Sequence, residues 1–101
     1  MYRLLGLFCL TACTKEPPMR GQTVYRAMCI SCHNVNPHLD GSIGPAVASA
    51  SRILLDARIL YATYPPGYKP KRETHMMPKM PAVAPEIEAL AEYLGSLKQQ
   101  P

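Results

Sequence analysis

Tryptophan is absent from this 101-residue chain, and its single phenylalanine, Phe8, falls in the opening apolar run. A domain this poor in large aromatic side chains has little apolar bulk of its own, and small domains in that position depend on a metal, a bridge or some other staple. Only one Cys-x-x-Cys is present, at Cys29 and Cys32, so a structural zinc site lacks its second pair even if His38 and His75 are recruited. No strand–helix alternation surrounds the pair, which argues against a thioredoxin-like switch. There is no internal repeat and no Gly/Ser tract. The net charge of +4 is mild and no nucleic-acid-binding motif accompanies it, so nucleic acid is not an expected partner.

The opening "MYRLLGLFCLTAC" has a basic start at Arg3, an apolar stretch and then small residues, the pattern of an export signal. It is too short to cross a bilayer, which takes about 20 apolar residues. "LTAC", Leu10 to Cys13, resembles a bacterial lipobox, which implies cleavage before Cys13 and a diacylglyceryl group on its thiol. The competing reading is an ordinary signal with a fortuitous cysteine. The expected organisation is residues 1–12 as signal, 13–19 as a polar, proline-bearing tether, and 20–101 as one domain. Loss of Arg3 takes the charge from +4 to +3. Cys9 leaves with the signal and Cys13 carries lipid, so Cys29 and Cys32 are the only cysteines of the folded part.

Three helices are expected, and no strand. The first covers "GQTVYRAMCISCH" and stops near Asn34 and Pro37. The second runs from Ser51 to about Ala62, with Ile53, Leu54, Ala57, Leu60 and Tyr61 at helical spacing and Arg52, Asp56 and Arg58 on the other side. The last follows Pro85, which suits a first turn, with Glu86 and Glu88 near the positive end of its dipole. Its apolar stripe is Ile87, Leu90, Ala91, Leu94 and Leu97. A long proline-rich loop, "PPGYKPKRETHMMPKMPAVAP", separates the second helix from the third, and a loop of that length inside a small domain points to function. The fold class is therefore all-α, a small helical domain with long loops.

Cys29, Cys32 and His33 form Cys-x-x-Cys-His, the attachment signature of a c-type haem. Positions three apart on a helix share a face, which suits two thioether bonds to one porphyrin. The adjacent histidine is a standard proximal ligand. A buried haem would also supply the missing apolar mass.

Beyond the motif, the chain resembles a small monohaem class I cytochrome c over roughly residues 20 to 98. Gly21 and Tyr25 stand eight and four residues before Cys29, as that family's glycine and aromatic do, and Gly44-Pro45 follows His33. "ALAEYL", residues 89 to 94, resembles the family's terminal helix, which crosses the first. The resemblance implies one covalent haem c, with the Pro45 carbonyl accepting from the ring N–H of His33, and a methionine as second axial ligand. Met76, Met77 and Met80 are the candidates. Met-Pro pairing suits Met77 and Met80, and the distance to Tyr93 suits Met77 and Met76, so Met77 is favoured. His38 reads as a surface histidine.

The resemblance also places "YPPGYKPKRETH" near the haem edge. There Tyr68, Lys69 or Arg72 would bond a haem propionate, the remaining cations steering an acidic redox partner; the plainer alternative is a solvated loop. The chemistry implied is one-electron transfer rather than catalysis, by a lipid-tethered respiratory shuttle on the periplasmic side of a bacterial membrane or at the cell surface. The alternative is a haem subunit of an exported oxidoreductase, or a ligand-binding haem protein with a labile sixth ligand.

Overall fold

Pro17 and Pro18 start the first helix, α1 (Pro17–Met28), where a residue without an N–H loses no helical hydrogen bond. The structure is a computed structural model and describes residues 17–98. The signal run, Cys13 and the first part of the expected tether lie outside the described residues. Two further helices follow, α2 (Arg52–Tyr61) and α3 (Ile87–Gly95), the latter entered through a 3₁₀ helix, Pro81–Glu86. The described residues include no strand, and the fold is all-α.

The boundaries of α1 differ from expectation at both ends. It begins at Pro17, inside the stretch read as tether, and ends at Met28, just before the cysteines rather than near Asn34. Cys29 to His33 form a wound turn instead. Cys29 N donates to the Tyr25 carbonyl at 2.9 Å and His33 N to the Cys29 carbonyl at 2.9 Å, so the cysteines keep a helix-like progression without a regular helix.

The second helix has the expected limits for an identifiable reason. Ser51 is its N-cap, its Oγ accepting from Leu54 N at 3.1 Å, and Ala62 ends it in the left-handed conformation at φ 53°. Its buried face is not the expected one. Leu55 and Ile59 are buried, whereas Ile53 and Tyr61 remain 69% and 65% exposed. The helix turns inward the face that meets α3 and the cleft described below, and that choice depends on contacts far away in the chain. At the last helix, Pro85 lies within the 3₁₀ helix rather than in the first turn of α3. Of the expected stripe, Ile87, Leu90 and Leu94 are almost fully buried and Tyr93 joins them, whereas Ala91 is half-buried and Leu97 falls beyond the end of α3 at Gly95.

Helices α1 and α3 pack closely because Gly21 lets them. A Cβ on Gly21 would lie against the Ala89 carbonyl and 2.7 Å from the Tyr93 Cβ. One turn on, Tyr25 meets Tyr93 with ring centroids 5.9 Å apart and planes tilted by 54°. Arg20 closes the N-terminal end of this pair on Glu86, Nε to Oε1 at 2.9 Å and Nη2 to Oε2 at 2.5 Å. Val24, Tyr25, Leu55, Ile59, Val83, Ile87, Leu90, Tyr93 and Leu94 belong to one core.

Two hydrogen-bonded contacts aim the loops at the site. Met80 N donates to the Ile59 carbonyl at 2.7 Å and fixes the methionine loop to α2. Ser49, at φ 72°, binds the end of α3 through N to the Leu94 carbonyl at 2.8 Å and through Oγ to the Leu97 carbonyl at 2.6 Å.

Candidate functional site

The loop after α1, the inner face of α2, the methionine loop and α3 enclose a cleft of about 590 Å³. That volume lies in the range of small-molecule and cofactor sites, roughly 300–1,000 Å³. Its wall is mostly apolar, with Val47, Leu54, Leu55, Ile59, Leu90 and Leu94 among its residues, and Cys29, Cys32 and His33 all line it. Both cysteines are half-buried and are not joined to each other. Burial, reinforced by Cys32, pushes the Cys29 thiol up to about 11. A second, more open hollow between Arg52, Glu88, Ala91 and Glu92 holds none of the motif residues.

His33 is held from two sides. Its Nδ1 lies 2.8 Å from the Pro45 carbonyl, which can only accept, so Nδ1 carries a proton and the tautomer with Nε2 open for a ligand bond is the one selected in the neutral ring. Gly44 covers the ring so tightly that a Cβ there would come 2.6 Å from Nδ1. Gly41 does the same for the backbone, where a Cβ would lie 2.6 Å from His33 Cα. Hydrogen bonds from Ile43 N and Gly44 N to the Cys32 carbonyl, at 3.2 and 2.9 Å, close the turn. Tyr25 supports the same segment from below. Its hydroxyl donates to the Asn34 carbonyl at 2.5 Å, and burial raises the phenol well above its ordinary value.

All three candidate methionines line the cleft. Met77 and Met80 are half-buried and pack against the core, whereas Met76 is 65% exposed. His38 is placed on structural duty, its Nε2 2.8 Å from the Lys98 carbonyl, and His75 is exposed.

The basic loop also reaches the cleft. Tyr68 stacks on Tyr64 with centroids 5.5 Å apart, and Arg58 from α2 lies over the other ring, its Cζ 4.1 Å from the Tyr64 centroid. Arg58, assigned by periodicity to the outer side, is thus a cleft residue. The signal for it was its spacing of three from Leu55 and four from Leu54, which places all three on one face. Arg72 Nη1 donates to the Ile43 carbonyl at 2.6 Å, and Lys71 Nζ to the Ala46 carbonyl at 2.9 Å. Neither bond follows from local sequence.

An all-α domain that brings Cys-x-x-Cys-His to the mouth of an apolar cleft has the architecture of a covalent haem protein. The family model described as Cytochrome c matches residues 18–98, most of the chain, and the chain belongs to that family. Comparison with curated proteins and with solved structures gave no match. Members bind haem c covalently, Cys29 and Cys32 fit the attachment motif, and the family's function is haem-based electron transfer to and from redox partner proteins.

Proposed function

We propose that this chain is a one-electron carrier in which Cys29 and Cys32 anchor the haem, His33 and Met77 are the axial ligands, and Tyr68 and Arg72, with Arg58, hold the haem carboxylates. The observation that carries the reading is the bond from His33 Nδ1 to the Pro45 carbonyl. Such a bond selects the tautomer, fixes the ring and raises the basicity of the remaining nitrogen. A histidine prepared in this way, lining the same cleft as half-buried Met77, suits iron ligated on both faces.

When bound, the haem supplies a one-electron couple whose thioether ligation favours the ferrous state. The chain does the rest. Leu54, Leu55, Ile59, Leu90 and Leu94 exclude water from one wall, and so disfavour the extra charge of the oxidised state. Lys69, Lys71 and Arg72 place positive charge at the other wall, which speeds encounter with an acidic partner and weakens with salt over a Debye length of about 8–10 Å. Five donors on one guanidinium leave Arg72 able to meet a carboxylate while it holds Ile43.

We further propose lipidation at Cys13, which would tether the domain to the periplasmic side of a bacterial membrane or to the cell surface. Supporting this is the lipobox-like "LTAC", in which small residues and then Cys13 end the apolar run. Mass spectrometry of the N-terminal peptide, with Cys13→Ala as control, tests the anchor. Release of the wild type by salt alone would argue against it.

CO binding to the ferrous protein tests the ligation. The wild type should resist CO at neutral pH, Met77→Ala should bind it rapidly, and Met80→Ala should remain resistant. The opposite order for the two variants would move the ligand to Met80. Rapid binding by the wild type would favour a ligand-binding haem protein or the haem subunit of an exported oxidoreductase.

A further inference from the structure

We propose that Lys71 and Arg72 are positioning residues, which strap the methionine-bearing loop to the turn that orients His33. The inference rests on the haem-site reading above. Lys71 Nζ holds the Ala46 carbonyl at 2.9 Å and Arg72 Nη1 holds the Ile43 carbonyl at 2.6 Å. Those two carbonyls bracket Gly44 and Pro45, and the Pro45 carbonyl is the acceptor for His33 Nδ1. Asp40 completes the frame. Its Oδ1 accepts from Ala46 N at 2.9 Å, and its Oδ2 lies 3.6 Å from Arg72 Nη2.

The turn has no regular secondary structure, and neither has the loop that carries Lys71 and Arg72. Where the Pro45 carbonyl sits therefore depends on contacts made by its neighbours. Cationic donors on carbonyls make stronger bonds than neutral pairs. The ion pair with Asp40 adds little, because the Asp40 side chain is 67% exposed. The two carbonyl bonds span 25 and 29 residues of sequence, so each ties the two loops directly. The acceptor of one axial ligand and the loop of the other are thereby held in one frame. Met77 follows Arg72 by five residues, close enough for loss of the strap to loosen the methionine as well.

Two readouts on the holoprotein test this. Amide hydrogen exchange at Gly41, Gly44 and Ala46, all hydrogen-bonded within the turn, reports the turn itself. The rate of CO binding to the ferrous protein reports the methionine side. Replacing both Lys71→Ala and Arg72→Ala should speed exchange at the three amides, and CO binding, by about tenfold each. Arg72→Lys should recover most of the protection lost in Arg72→Ala, since an ammonium can still reach one carbonyl. Unchanged exchange in the double variant, or acceleration spread equally over α1 and α3, would overturn the strap. Faster exchange with unaltered CO binding would overturn its link to the methionine. A wild type that already binds CO as fast as the double variant would instead defeat the His/Met ligation, and the exchange rates would still decide the strap.

Discussion

Gly44 is needed for room, not for backbone freedom. Among the described glycines only Gly67 has a positive φ, at 80°, and a Cβ there would touch nothing within 4 Å. Gly44 is the reverse, with the His33 ring where a Cβ would go. Gly44→Ala must therefore shift either the ring or the turn, at an overpacking cost of about 1–3 kcal/mol. The urea midpoint of the holoprotein should fall accordingly. If the ring slips off the Pro45 carbonyl, His33 becomes a poorer electron donor, and the reduction potential should rise because the ferric state loses support. Unchanged midpoint and potential would show that the turn yields freely. The histidine was legible in the sequence through its Cys-x-x-Cys-His motif, and its proline only through the family resemblance, since nothing local marks Pro45 as the acceptor twelve residues on. The donors at Lys71 and Arg72 were not, since a cation in a loop carries no local mark of the carbonyl it will meet.

At the scale of elements, the contact of α1 with α3 does most to shape the domain. Gly21→Ala would drive a methyl group into the Ala89 carbonyl and to 2.7 Å from the Tyr93 Cβ. Backbone cannot swing aside as a flexible side chain can. The helices must separate, and the expected loss is again about 1–3 kcal/mol, read as a lower urea midpoint, with Tyr25 fluorescence changed by the altered contact with Tyr93. Arg20 adds a pH-dependent part to the same junction. Its hydrogen bond and charge hold the Glu86 carboxyl below its ordinary value of 4.5. The unfolded chain thus binds the proton more readily than the folded one, so the pair's contribution is present above about pH 4.5 and disappears as pH falls through the lowered folded value. Glu86→Gln should lower the melting temperature slightly at pH 7, since Arg20 is exposed and its ion pair is screened, and not at all at low pH, where the Glu86 carboxyl is protonated. A difference that persists in acid would mean that the carboxylate's charge is not what matters. The same scale shows what periodicity could and could not reveal. Ser51 and Ala62 bounded α2 legibly, since caps are local chemistry. Its inward face was misread because apolar residues surround the helix, and only α3, Met80 and the cleft select Leu55 and Ile59 over Ile53 and Tyr61.

Across the whole molecule, apolar mass is unevenly spread. The largest fully buried side chains are Tyr25, Ile87, Leu90 and Leu94, all on α1 and α3 or at their junction. On the other side α2 buries only Leu55 and Ile59, and Val83 is the one buried residue of the 3₁₀ helix. Between the two halves lies the cleft of about 590 Å³. A haem bound there touches both, so it acts as core as well as cofactor. Total stability of a domain is only about 5–15 kcal/mol, and each large apolar side chain left wet instead of buried forfeits about 1.5–3 kcal/mol. Val47, Leu54, Met77 and Met80, half-buried apolar residues of the cleft wall, therefore stand to contribute a large share of that total once a haem covers them. The double substitution Cys29→Ser with Cys32→Ser, which removes both covalent anchors, should leave α1 and α3 partly helical while α2 and the methionine loop come apart. Circular dichroism should show reduced helical signal, and urea unfolding should become shallow because less surface is released in the transition. A colourless double variant that melted as sharply as the haem-bearing protein would show that the α1–α3 core suffices, and that the cleft is a container rather than a part of the fold.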